Sequence, residues 1–274
     1  MARLRLDALL AERGIFQSRS RAAASVLAGE VHVGAERRLA DKPGQLVDDD
    51  EIVAVAEPPR YASRGGIKLA NAIAATGLSV AGRRALDVGA SAGGFSDCLL
   101  QHGARDVIAV DVGYGELHWR LRQDPRVHVL ERTNARHLTP ADLPHRPDLA
   151  TIDVSFISLA KVLPAVLGCL PERFDCLALV KPQFEAGREQ VGKGGVVRSA
   201  DVRRRVLADV GAAAAALDAG VLGFVSSGLP GPKGNRETFV WLAEPARPGA
   251  HRRARDLEPL AQVAEPQVAP EGKG

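Results

Sequence analysis

The run Ala85-Leu-Asp-Val-Gly-Ala-Ser-Ala-Gly-Gly-Phe95 joins a short apolar stretch to an acid and a cluster of glycines, the residue types from which a ligand-holding loop is built. The apolar stretch reads as a buried strand, and the glycines let the following loop turn sharply and press its backbone against a small polar molecule. A second apolar run, Val107-Ile-Ala-Val-Asp-Val-Gly113, also ends in an acid, Asp111. It falls about 20 residues past the loop, where a nucleotide-binding β-α-β unit places the carboxylate that holds a ribose diol.

Three related loops fit less well. A dinucleotide fingerprint needs a glycine where this loop carries Ser91, and the missing space would crowd a pyrophosphate. Gly89-Ala-Ser-Ala-Gly93 matches the nucleophile elbow of serine hydrolases only in two glycines around one serine, a pattern that chance supplies. Gly187 to Gly194 nearly forms a phosphate-binding loop, but Gly194 stands where a magnesium-binding hydroxyl belongs. The remaining pattern, Asp87, Gly89, Gly93 and Gly94 in Asp-x-Gly-x-x-x-Gly-Gly, suits S-adenosylmethionine, which has a ribose and an amino-acid end but no phosphate. Ala90, Ser91 and Phe95 complete the expected pocket, with Asp111 on the ribose.

These residues need a scaffold. Apolar strands alternate with helical segments after residue 80, which describes an α/β fold with an open, largely parallel sheet covered by helices on both faces. Ligands collect beyond the carboxyl ends of such strands. Asp153 ends the run from Leu149 and Lys181 ends the run from Leu177, so both are expected at that edge. Glu237 precedes the last strand, Thr238 to Leu242; Lys68 opens the first helix; and the alanine-rich stretch from Leu207 to Leu217 reads as a core-facing helix. Prolines and glycines at 58–66 mark a linker between a unit at 1–57 and a larger one at 67–244. Residues 245–274 lack periodicity and read as a disordered tail, with Arg247, Arg252, Arg253 and Arg255 available to phosphates.

The first unit reads as two short helices followed by strands, the second helix stopping near Gly29. Residues 3–21 hold Arg3, Arg5, Arg13, Arg19 and Arg21 against Asp7 and Glu12. Such a stripe either follows a phosphate backbone or is a solvated charged face, and charge alone does not decide. A net charge of +3 is too small to argue for nucleic acid by itself. Cys98, Cys169 and Cys176 lack metal-ligand spacing and read as buried thiols of a reducing cytoplasm. The charged start, Met-Ala-Arg-Leu-Arg-Leu-Asp7, and the absence of a long apolar run disfavour secretion and membrane insertion. With 4% aromatic residues, base stacking is not expected to be the main mode of recognition.

Several of these segments recur together in a known family. Arg5-Leu-Asp-x-x-Leu, Ser18-Arg-Ser-Arg-Ala-Ala and Gly29-Glu-Val-His-Val-Gly34 resemble the small α-L RNA-binding domain first described in a ribosomal protein of the small subunit. Ser63-Arg-Gly-Gly-Ile-Lys-Leu69, Leu86-Asp-Val-Gly, Ile152-Asp-Val-Ser-Phe-Ile-Ser158, Val180-Lys-Pro-Gln-Phe-Glu185, Lys193-Gly-Gly-Val-Val-Arg198 and Gly234-Asn-Arg-Glu237 resemble the TlyA family of ribosomal RNA methyltransferases, some of whose members carry an older haemolysin label. The likeness runs from about Arg3 to Leu242. It implies a Rossmann-like class I methyltransferase domain of the RrmJ/FtsJ type with a mostly parallel seven-stranded sheet, behind a small α+β RNA-binding domain. It also implies methyl transfer from S-adenosylmethionine to a cytidine ribose 2′-oxygen of 16S or 23S ribosomal RNA, on ribosomal RNA or ribosomal subunits.

Lys68, Asp153, Lys181 and Glu237 match that family's Lys-Asp-Lys-Glu tetrad, and Asn134 falls where the related fold contacts adenine. The resemblance places Arg64 with the five N-terminal arginines on RNA. A 2′-hydroxyl is a poor nucleophile at neutral pH, so Lys181 beside it would lower its pKa or, if deprotonated by crowding from Lys68, accept its proton. Asp153 would hold Lys181 and complement the sulfonium, Glu237 would orient the lysines, and no metal is required. The expected state is a cytoplasmic monomer. Two other readings remain at this point: a non-catalytic RNA-binding or ribosome-assembly factor, and a membrane-active haemolysin.

Overall fold

In the computed structural model, residues 3–16, 18–27, 30–55, 60–231 and 233–265 are described; Gly29, most of the proline linker and residues 266–274 lie outside them. The chain divides into two compact units, Met1–Arg60 and Tyr61–Gly274.

In the first unit, β1 (Arg3–Arg5) leads into α1 (Leu6–Glu12) and α2 (Arg19–Leu27), followed by β2 (Val31–Val33), β3 (Arg38–Leu39), β4 (Leu46–Asp48) and β5 (Val53–Val55). β1 pairs antiparallel with β4, while β2 lies between β3 and β5. The helical spacing of Leu6, Leu9 and Leu10, with Ala22 and Val26, turns both helices onto a small core closed by Val31, Val33, Ala40 and Val47.

The second unit begins with α3 (Gly65–Thr76), then β6 (Arg84–Val88), α4 (Gly94–Gln101), β7 (Asp106–Val110), α5 (Trp119–Arg122), β8 (Val127–Leu130) and β9 (Leu149–Ile152). It continues through α6 (Leu163–Gly168), β10 (Asp175–Val180), α7 (Pro182–Glu185), α8 (Ala200–Ala216), β11 (Gly220–Pro230), β12 (Arg236–Ala243) and α9 (Ala254–Ala264). The seven strands are ordered β11-β12-β10-β9-β6-β7-β8. β8, β7, β6, β9 and β10 pair in parallel, and β12 alone runs against its neighbours, forming a hairpin with β11.

Alternation along each strand sends side chains to two apolar layers, which is why the strands read as continuous hydrophobic runs. On β10, Cys176, Ala178 and Val180 join α6, α8 and α9, whereas Leu177 and Leu179 join α3 and α4. The chain winds outward through β6, β7 and β8, then crosses back to lay β9 beside β6. That reversal leaves a crevice at the carboxyl ends of β6 and β9, the switch point where such sheets bind ligands.

Two boundaries differ from the sequence reading. The segment 61–66 belongs to the second unit rather than to the linker. Tyr61 is buried against the α3–α4 layer, a Cβ on Gly66 would collide with its ring, and the Ala62 N–H donates to Asp97 Oδ2 at 2.8 Å. The segment 245–265 is likewise no disordered tail. α9 buries Leu257 and Ala261 against α8 and β11, an amphipathic spacing hidden by its short length and by Pro259. Arg247 and Arg252 bind Glu244 and Asp218.

At the amino edge of the sheet, Arg247 clamps Glu244 with Nε–Oε1 at 2.7 Å and reaches Asp175, which also accepts from Trp241 Nε1 at 2.9 Å. The guanidinium holds the Glu244 carboxyl down at about 2, below its ordinary 4.5. Because the folded-state value is depressed, the stabilisation is present above about pH 4.5 and is lost as the pH falls through about 2. Melting curves from pH 7 to pH 2 are therefore expected to show Glu244→Gln less stable than wild type near neutrality, with the gap closing toward pH 2. A gap independent of pH would remove this role.

Candidate active site

The glycine loop follows directly from β6. The Gly89 N–H donates to the Val110 carbonyl at 2.8 Å, and its φ of +85° together with the Asp153 carbonyl, 2.5 Å from where a Cβ would stand, leaves room only for glycine. Gly93 takes φ +90° to start α4. The loop opens on a cleft of ≈ 380 Å³, within the range of roughly 300–1,000 Å³ typical of small-molecule sites. From the expected cofactor set, Gly89, Ala90, Ser91, Gly94 and Phe95 line it; from the expected catalytic and RNA sets, Lys68, Asp153 and Arg64 do.

Asp87 does not face this cleft, contrary to expectation. Strand alternation turns its carboxylate inward beneath the loop, where it is fully buried and accepts from Ser96 Oγ at 2.7 Å and Thr151 Oγ1 at 3.1 Å. Burial pushes the group up to about 7. It braces the loop from behind. Asp111, at the end of β7, accepts from the Ser91 N–H at 2.8 Å and the Gly113 N–H at 2.7 Å, so its orientation is set before any ribose arrives. Asn134 is exposed beyond β8; its Oδ1 accepts from the Arg136 N–H at 3.1 Å, and the adjacent Thr133 N–H binds the Asp111 carbonyl. Gly93, Asp111 and Asn134 stand beside the cleft rather than in its lining.

The four tetrad residues form two ion pairs. Lys68 on α3 meets Glu237 on β12 at 2.5 Å, both buried and 169 residues apart in the chain. Lys181, just beyond β10, lies 2.6 Å from Asp153, just beyond β9, and donates to Ser155 Oγ at 2.8 Å. Lys68 and Asp153 open both pairs onto the same cleft. The Lys68 charge is met by Glu237, so the idea that Lys68 crowds a proton off Lys181 has no unbalanced charge behind it. Glu237 orients Lys68 alone, and Asp153 holds Lys181.

Sequence reasoning overlooked Ser63, Gly65 and Pro230 in the lining, Ser155 beside Lys181, and Phe156. Phe156 is 91% exposed at φ +63°, tilted against Phe184 at 5.1 Å. A bulky residue in the left-handed region is uncommon and marks a held conformation. The signal was that Ser155 and Phe156 follow Asp153 within the shared motif Ile152-Asp-Val-Ser-Phe-Ile-Ser158, which gave them no individual role. β11 runs on to Pro230, with an irregular register after Ser226, and so carries this residue to the cleft.

In the N-terminal unit the arginine stripe is partly structural. Arg5 grips Asp7 with two hydrogen bonds, Arg19 reaches the same carboxylate, and Arg13 donates to the Glu51 and Asp49 carbonyls. Arg3 lies 4.0 Å from Asp48, and Arg21 enters no ion pair among the described residues. Among the described residues no cluster of His, Cys, Asp or Glu could hold a metal ion, and no helix is long and apolar enough to cross a membrane.

A six-against-one parallel sheet, a phosphate-free glycine loop at its switch point and an oriented acid after the next strand define a class I methyltransferase fold. The FtsJ-like methyltransferase model matches residues 61–244. Over 242 residues the chain is 50% identical to the 16S/23S rRNA (cytidine-2′-O)-methyltransferase TlyA of Mycobacterium tuberculosis, spanning 88% of this chain and 90% of that protein. It is 40% identical to Hemolysin A of Brachyspira hyodysenteriae, over 74% of this chain and 85% of that one. A solved Streptococcus thermophilus structure titled as a candidate hemolysin superposes with a TM-score of 0.71 at 41% identity, covering 96% of each chain. The chain belongs to the FtsJ-like methyltransferase family, in its TlyA branch.

Proposed function

We propose that this protein transfers a methyl group from S-adenosylmethionine to the 2′-hydroxyl of a cytidine in ribosomal RNA. The observation that carries the reading is the pair of ammonium–carboxylate contacts opening onto one glycine-lined cleft. The residues suit the cofactor: the cleft has the needed size, its loop carries no lysine for phosphates, Asp111 is oriented for a ribose diol, and the Asp153 carboxylate complements a sulfonium. Asn134, beside Asp111, is the candidate adenine contact. S-adenosylmethionine, when bound, supplies a methyl group already activated by its sulfonium charge.

The protein's work is then alignment and charge. Lys181, steered by Asp153 and Ser155, would meet the negative charge that grows on the 2′-oxygen as its proton passes to water and the methyl carbon exchanges its bond to sulfur for one to oxygen. Lys68, held by Glu237, supplies a second positive group in the same cleft, whose lining also includes the apolar Phe95 and Pro230. Arg64, exposed in the lining of the cleft, suits an RNA phosphate, and the open face of Phe156 suits an unpaired base. The relative named for 16S and 23S RNA supports the substrate class, and the exposed arginines of the N-terminal unit, Arg3 and Arg21 foremost, are its proposed backbone contacts.

The test is transfer of tritiated methyl groups to purified ribosomal subunits and to naked RNA, followed by nucleoside mapping. Label in 2′-O-methylcytidine is expected. Label on a base, or none on any ribosomal substrate while S-adenosylmethionine binds, would sink the reading.

A further inference from the structure

Asn235 lies between the two strands that end at the site, in the turn from β11 to β12, and is 2% exposed. Every polar group of its side chain is used. Oδ1 accepts from the Val197 N–H at 2.9 Å, and Nδ2 donates to the Gly195 carbonyl at 2.8 Å. Its own carbonyl accepts from the Gly231 N–H at 2.9 Å. Gly231 is pressed onto the catalytic pair: a Cβ there would collide with Glu237 Oε1, and the adjoining Pro230 lines the cleft. The loop that Asn235 holds is gripped from behind by Arg203, which donates to the Val197 and Arg198 carbonyls at 3.2 and 2.8 Å. Arg203 is in turn fixed by Glu265 at the end of α9, at 3.0 Å, and both are buried. A chain of hydrogen bonds thus runs from the last helix to Gly231, which packs directly against Glu237 of the Lys68–Glu237 pair.

We propose that Asn235 is a positioning residue for methyl transfer: it ties the 195–198 loop to the β11–β12 turn and thereby sets where Glu237 holds Lys68, with Arg203 and Glu265 as the anchor. The inference rests on the proposed reaction. An amide is required because the side chain faces a backbone N–H and a backbone C=O at once; aspartate can only accept, and glutamine is a methylene too long. Tight placement matters because a misplacement of about 1 Å in a catalytic group can cost roughly 100-fold in rate.

The experiment uses the full chain with ribosomal subunits as substrate. Asn235→Ala is expected to lower kcat roughly 10- to 100-fold while KM for RNA and the Kd of S-adenosylmethionine stay within about twofold. Asn235→Asp, of the same size, is expected to lose kcat in the same way at a pH where its carboxylate is ionised, because it then sets an acceptor against the Gly195 carbonyl. Glu265→Gln is expected to show a smaller loss of the same kind. A lowered Tm with wild-type kcat in folded Asn235→Asp, or losses confined to KM or cofactor affinity, would overturn the proposal. If the wild-type protein itself fails to methylate ribosomal RNA, it is the functional reading that fails instead.

Discussion

Lys181→Ala is expected to lower kcat by roughly 10²- to 10⁴-fold, the range seen when a positioned proton-transfer group or an oxyanion-stabilising charge is removed. The fold should survive, because Lys181 sits at the carboxyl end of β10 where, among the described residues, its ammonium touches Asp153 and Ser155. Asp153 is half-buried with its Oδ1 covered, so losing its counterion costs some stability without placing a whole charge in the core. Cofactor and RNA affinity are expected to change little, since the glycine loop and the arginines are untouched. Lys181→Arg separates the two chemical roles: arginine keeps the positive charge but does not give up its proton. Partial activity in that variant points to charge stabilisation, and none points to proton acceptance or to a fit only lysine allows. Calorimetry with S-adenosylmethionine and single-turnover methyl transfer check the prediction. Turnover equal to wild type in Lys181→Ala would take Lys181 out of the mechanism.

Gly89→Ala is expected to destabilise the second unit by about 2–5 kcal/mol and to abolish measurable cofactor binding. Two costs combine. An alanine at φ +85° occupies the left-handed region, and its Cβ would stand 2.5 Å from the Asp153 carbonyl oxygen. The backbone fixes where that Cβ stands and the oxygen it meets belongs to the backbone, so no side-chain rotation relieves the contact. Either β9 moves away from β6, carrying Asp153 and its hold on Lys181, or the glycine loop lifts into the cleft. Thermal melts together with calorimetric titration are the checks. Wild-type affinity at unchanged Tm would mean that the loop tolerates a side chain there.

The sheet, its ligand edge and the placing of Asp153 and Lys181 at that edge were legible because each rests on local pattern. Apolar runs ending in charged residues announce strands buried on both faces, with polar tips at the carboxyl edge. Asp87 defeated the same logic. As the acid nearest the glycines it belonged to the ligand pattern, yet strand alternation aims it at Ser96 and Thr151, and neither partner is close enough in sequence to signal the contact. The arginine stripe was left open by charge alone. Arg5 grips Asp7 from two residues away, and Arg19 joins them only once α1 and α2 pack together. The C-terminal helix was missed although Leu257, Leu260, Ala261 and Ala264 keep helical spacing, because Pro259 and the charged neighbours interrupt the apolar signal.

Residue order alone determined the α/β class, the glycine loop and the ribose-type acid, since periodicity and short motifs are set by neighbours along the chain, while the family resemblance picked out the four charged residues. Tertiary structure decided how those four pair, which of them open on the cleft, and that Asp87 is a brace rather than a contact. It also joined α9 to the site through Arg203 and Asn235. Pairing across 169 residues depends on which strand lies beside which, and that follows from the global packing of the sheet and its two helical layers, a property no local stretch of sequence contains.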